Sequence, residues 1–239
     1  MNAQRKLIFL HLPKTGGSSV VNALHQIYGL EHSQLVLADD DPALDQAIEA
    51  EKPFIHGHIS VKGLHKAQAW YTATVLRDPV DRVVSRYVHL VFGAHDNLKA
   101  EREKYQNFED YLESTYANNW QCQMLCGEWH QPISPALFDK ACEEMNKLDW
   151  VGTQDRLAEA MLDLQKRLGF ATRYKPRTNL RRSQEMWLEI KSRYAAAIAD
   201  RNQYDRKLYE QAQQIYSQRR QLSLIERLRL KLEDLLMKD

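Results

Sequence analysis

Pro13-Lys14-Thr15-Gly16-Gly17-Ser18-Ser19 brings two glycines, three hydroxyls and a lysine into seven residues. Glycines let a backbone turn tightly and aim several N–H groups at one point, and a helix starting near Ser18 adds the positive end of its dipole. Lys14 contributes a full charge. The chemistry predicted is anion binding, with Lys14, Thr15, Gly16, Gly17, Ser18 and Ser19 as the contacts. The plainer reading is a strand-to-helix turn carrying an exposed lysine. Arg77, in Leu76-Arg77-Asp78-Pro79, offers a forked donor suited to a phosphate dianion. Ser85 follows eight residues later, about 12 Å along a helix at 1.5 Å per residue. Both reach one phosphate only with Arg77 in the loop and its side chain lying along that helix; taken alone they read as an ion pair and a surface hydroxyl. His56-Gly57-His58 supplies a third kind of group. Residues two apart on a strand point the same way, and histidine titrates near neutrality, where it can take a proton from a hydroxyl. The intervening glycine reads as room for a substrate, and the competing reading is a pair of satisfied core histidines.

These groups need a scaffold. The apolar run Leu7–Leu12 predicts a strand running into the glycine turn, followed by an apolar-periodic helix to Tyr28. Further strands are predicted at 35–38, 54–59, 72–76 and 150–153, with a helix from Pro42 to Glu51 and another from Pro79 to about Phe92. The stretch from Ala94 to Leu148 reads as helical and polar. Asp155 is placed to cap a helix carrying Leu157, Met161, Leu164 and Leu168, which Gly169 ends. Strands alternating with helices imply a parallel sheet with ligands outside its carboxyl edge. The fold class predicted is α/β, a P-loop-like parallel sheet flanked by helices, in one domain over 1–239 whose residues 183–239 form a helical C-terminal extension.

Composition narrows the class. Among 239 residues, 44% are hydrophobic and 27% charged, which excludes a disordered chain. A formal charge of +1 argues against a nucleic-acid partner, so any anion site must be local. Three cysteines make no disulfide framework and point to a reducing compartment. With no apolar stretch near the roughly 20 residues of a membrane span, a cytoplasmic, bacterial protein is expected.

At this point the chain resembles a family. His11-Leu-Pro-Lys14-Thr-Gly-Gly-Ser-Ser19 is similar to the 5′-phosphosulfate loop of sulfotransferases that use 3′-phosphoadenosine 5′-phosphosulfate (PAPS), and Val75-Leu-Arg77-Asp-Pro79 with Ser85 is similar to their 3′-phosphate motif. Asn119-Trp-Gln121 with Leu125 and Gly127, Trp150-Val-Gly152, and Asn202-x-x-Asp205-x-x-Leu208-Tyr209 extend the resemblance, more degenerately, toward the carbohydrate branch that includes heparan sulfate 2-O-sulfotransferases. The resemblance implies PAPS as donor, 3′,5′-diphosphoadenosine as product, no metal, and a hydroxyl of a glycan or other small polar acceptor as target. It implies further that Lys14 assists the leaving group and that one of His56 and His58 is the base, His56 being the first choice. A Mg-ATP phosphotransferase is the alternative enzyme, disfavoured because its lysine follows the glycines whereas Lys14 precedes them. A non-catalytic nucleotide-binding module is the alternative without chemistry.

Three other features compete with plain packing. Cys122, Cys126 and His130 are spaced at four residues, yet the outer two are about 12 Å apart on a helix, too far to share one ion; core packing is the better account. Arg173, Lys175, Arg177, Arg181 and Arg182 form a basic run without an acid, read as a cofactor or acceptor contact, with Arg181 assigned to the cofactor. The stripe Leu224, Ile225, Leu228, Leu232, Leu235 and Leu236 reads first as packing on its own domain and second as a homodimer contact.

Overall fold

The computed structural model describes residues 5–93, 96–170 and 184–218. In chain order the elements are β1 (Leu7–Leu10), α1 (Gly17–Tyr28), β2 (Ser33–Val36), α2 (Pro42–Glu49), β3 (Phe54–Gly57), α3 (Val61–Lys66), β4 (Tyr71–Leu76) and α4 (Pro79–Phe92). There follow α5 (Asp96–Arg102), α6 (Phe108–Leu112), α7 (Trp120–Cys126), α8 (Pro135–Lys147), β5 (Trp150–Thr153), α9 (Leu157–Arg167), α10 (Gln184–Arg201) and α11 (203–218). The five strands form one parallel sheet in the order β2-β3-β1-β4-β5. The chain therefore reverses its direction of travel across the sheet beside β1, and the crevice of such a sheet opens at the carboxyl ends of β1, β3 and β4. The expected α/β class is the one observed.

The strands read as apolar runs because both faces of the sheet are covered. Ile8, Leu10 and Ile55 face a cluster built with α2, α3, α7, α8 and Leu208 of α11. Leu7, Phe9, Phe54, Ala73 and Val75 face α1, α9 and Tyr216. A third cluster joins Val83, Val84 and Leu90 of α4 to α5, α6 and the residues Trp187, Ile190 and Ile198 of α10. Thus α10 and α11 complete the core around the sheet. The basic run with Arg181 and the stripe from Leu224 to Leu236 lie outside the described residues.

Local chemistry sets the helix starts. Asp41, Asp78 and Ser134 each precede a proline in the first turn and accept a backbone N–H with their side chains. Asp78, the middle residue of Arg-Asp-Pro, is therefore the cap of α4, bonded to the N–H of Asp81. One expectation fails locally, and one helix was not expected at all. Asp155 lies in a 3₁₀ turn and its carboxylate accepts from the hydroxyl of Tyr209, 2.8 Å away, so α9 has no side-chain cap. Helix α3, started by Ser60, had no apolar periodicity long enough to announce it.

Candidate functional site

The loop after β1 is held in shape by its own atoms. Thr15, fully buried, donates its hydroxyl to the carbonyl of Leu12 at 2.8 Å. That hydroxyl closes the turn, and Ser18 is the exposed hydroxyl at the start of α1. Lys14 and Gly16 take left-handed backbone angles, φ 70° and 96°. A non-glycine residue there is uncommon and is found where surrounding structure imposes it. Gly17 opens α1, and a Cβ on it would lie 2.0 Å from Cδ2 of His11. Only a glycine lets the helix start so close to that imidazole. Helix geometry leaves the N–H groups of Gly17 and Ser18 without an intrahelical acceptor, which is the arrangement an anion needs.

Arg77 leaves the carboxyl end of β4 and turns back on this loop. Its Nη1 donates to the carbonyl of Lys14 at 3.0 Å, and its Nη2 lies 3.7 Å from Asp81 Oδ2. Ser85 is half-buried one turn beyond Asp81, on the same face of α4. The sequence-predicted pair is thus brought to one helix face, with Arg77 against its first turn. Arg82 is buried; it donates to the carbonyl of Tyr116 and, at 3.5 Å, to that of Pro13. Arg86 pairs with Glu101 of α5 and lies 5.9 Å from the ring centre of Tyr116. Burial first, then Arg86, Arg77 and Arg82, bring the Lys14 ammonium down from 10.5 to about 8. Arg86 is a member of the site that sequence reasoning missed, because the helical pattern of α4 gives no sign of which way its side chain points.

The histidines form a row on the α1 face of the sheet. His56, 6% exposed, has its Nε2 3.1 Å from Nε2 of His25 in α1, and its Nδ1 is buried without a partner. Burial, then His25 and His58, lower it to about 4. His58 is half-buried just past β3, edge-on to His11 with ring centres 5.0 Å apart. Its value is lowered by burial and then by Arg86, the same guanidinium that acts on Lys14. His11 is lowered to about 3 by burial, His58, His56 and Lys14. His56 lies in β3 and His58 in the bend just past it, the first beside His25 and the second beside His11. They differ in depth, with His56 turned down toward His25 and His58 at the edge beside the loop. The reading of Gly57 changes: a Cβ there would fall 1.7 Å from the carbonyl oxygen of Val36, so the glycine serves the close approach of β2 and β3 and not an acceptor.

Cys122 and Cys126 are buried in the core, and α7 ends at Gly127. The His130 ring rests against Tyr116 and Trp120. Among the described residues no three His, Cys, Asp or Glu side chains are grouped to hold an ion, and no helix is long and apolar enough to cross a membrane.

The sequence profile of the sulfotransferase family matches residues 1–222. The crystal structure of a sulfotransferase from Alicyclobacillus acidocaldarius is similar at 16% identity and a TM-score of 0.43, covering 87% of this chain and 96% of that one. No curated protein matches the chain significantly.

Proposed function

Because the chain belongs to the sulfotransferase family, we propose that it moves a sulfuryl group from PAPS to a hydroxyl of a carbohydrate or other small polar acceptor, with His58 as the base. The observation that carries this reading is the place of His58, edge-on to His11 with ring centres 5.0 Å apart, where β1 runs into the loop that carries Lys14.

The residues suit such a donor. Side-chain bulk is excluded at Gly17, two N–H groups open α1, and Lys14 and Arg77 flank the turn. Lys14 and those N–H groups would hold the 5′ end of the donor; Arg77, with Ser85 on the same helix face, would hold the 3′-phosphate. PAPS, when bound, supplies an activated sulfuryl group on a phosphate leaving group. The protein's part is to hold positive charge where the leaving oxygen gains negative charge, which Lys14 would do from a half-buried position. Losing one such preorganised donor typically costs about 3 kcal/mol, or a hundredfold or more in rate.

His58 is kept neutral by burial and Arg86, so its lone pair is available at neutral pH to take the acceptor's hydroxyl proton. His56 is the less suitable base, because its Nε2 is engaged by His25 and its Nδ1 is enclosed.

The test pairs His58→Asn with His56→Asn. His58→Asn is expected to lower transfer from PAPS to a glycan panel by about 10²–10⁴-fold, with the Kd for 3′,5′-diphosphoadenosine within about threefold of wild type, since the imidazole touches the acceptor and not the donor. Full activity in His58→Asn refutes the base assignment. Tighter binding of Mg-ATP than of the diphosphate refutes the donor.

A further inference from the structure

Arg77 is the first residue past β4, and both of its peptide groups bond to one side chain. Gln121 Oε1 accepts the N–H of Arg77 at 2.9 Å, and Gln121 Nε2 donates to the carbonyl of Arg77 at 2.9 Å. Gln121 is fully buried in the first turn of α7. Its own N–H donates to Asp205 Oδ2 at 3.0 Å, and the N–H of Cys122 donates to Asp205 Oδ1 at 2.8 Å. Asp205, in α11, is itself fully buried. One carboxylate from α11 therefore caps α7 and fixes the carboxamide that grips Arg77.

The same helices are tied a second time. Asn119 Oδ1 accepts the N–H groups of Tyr204 and Asp205 at 3.1 and 3.0 Å, while Asn202 Oδ1 accepts the N–H of Asn119 at 2.7 Å. Asn202 Nδ2 donates to the carbonyls of Ala117 and Ile198. Each asparagine thus satisfies backbone groups that the ends of α7, α10 and α11 leave open. Asn119 stands at φ 47°, a conformation asparagine tolerates better than most residues. The two degenerate sequence elements, Asn119-Trp-Gln121 and Asn202-x-x-Asp205, are the two halves of one lock.

We infer that Gln121, held by Asp205, is the positioning residue that aims Arg77 at the 3′-phosphate of the donor, so that recognition of that phosphate depends on the junction of α7 with α11. A guanidinium rewards a phosphate strongly only when its fork is aligned beforehand. Its side chain leaves from a peptide that Gln121 pins on both sides, and its Nη1 ends on the Lys14 carbonyl. The inference rests on the PAPS reading.

The experiment measures, by calorimetry, the ratio of the Kd for AMP to the Kd for 3′,5′-diphosphoadenosine, which isolates the 3′-phosphate. Gln121→Met keeps the side-chain length and removes both bonds to Arg77. It is expected to lower the ratio about tenfold, the scale of a hydrogen bond to a charged group, with the Kd for AMP within about threefold of wild type. In an Arg77→Ala background the same change is expected to alter the ratio less than about threefold, since the two residues act as one unit. Asp205→Asn, which leaves Gln121 in place and loses one of two acceptors, is expected to lower the ratio less than Gln121→Met; it serves as the readout if Gln121→Met fails to fold. An unchanged ratio in the folded variants, or an equal fall with and without Arg77, overturns the inference. A wild-type ratio near one refutes the donor assignment itself and the inference with it.

Discussion

Affinity for 3′,5′-diphosphoadenosine is expected to fall steeply above neutral pH, and the cause is Lys14. Burial and three guanidinium groups set its ammonium at about 8 in the ligand-free protein. At pH 7 about one Lys14 in ten is then neutral, and at pH 9 about nine in ten. A bound phosphate returns the lysine to its ordinary high value, so only the protonated form binds well. The expected weakening from pH 7 to pH 9 is about tenfold, or about 1.4 kcal/mol. Among the described residues the histidines beside the loop lie below that window: His11 and His56 stand at about 3 and 4, and His58 lies below its ordinary 6.5. The ligand's phosphate is already doubly ionised there, its second pKa being about 6. Calorimetry in buffers of different ionisation enthalpy reads the same event as proton uptake, about 0.9 per site at pH 9 and about 0.1 at pH 7. Lys14→Met is expected to bind weakly at every pH and take up no proton. A flat Kd between pH 7 and 9, or undiminished uptake in Lys14→Met, refutes the reasoning. The same depression acts on folding with the opposite slope. A protonated Lys14 opposes the donor-free fold at low pH, and that opposition fades as pH rises from about 8 to 10.5.

Gly17→Ala drives a methyl into His11 and is expected to cost about 1–3 kcal/mol in urea unfolding, the usual scale of overpacking. Gly17→Ala/His11→Ala is expected to recover most of that loss, and no recovery refutes the contact as its cause. Arg86→Met removes a cation that disfavours the His58 imidazolium, so the acid limb of kcat/KM is expected to move to higher pH. A limb that stays in place shows that Arg86 does not face the base.

The glycine turn after β1 was legible because a tight turn and a helix start are local events: glycine spacing, Pro79 behind Asp78 and the apolar run of β1 act within a few residues of themselves. The helix from Pro79 to Phe92 was read to its ends for that reason, whereas α3 and the role of Asp155 were not, since a short helix and a carboxylate with a choice of partners are settled by what packs against them. Gly57 was seen but misread; its neighbour, Val36, belongs to another strand. The His-x-His pattern singled out two histidines, and only the packing of α1 distinguished them, by placing His25 against His56 and leaving His58 beside His11. Arg86, and the grip of Gln121 and Asp205 on Arg77, join residues up to 84 positions apart. Sequence by itself determined which groups suit an anion, because that chemistry resides in residue type and local spacing. The tertiary structure alone decided which of them share a site and how each is aimed and charged, because burial and alignment depend on neighbours the chain supplies from far away.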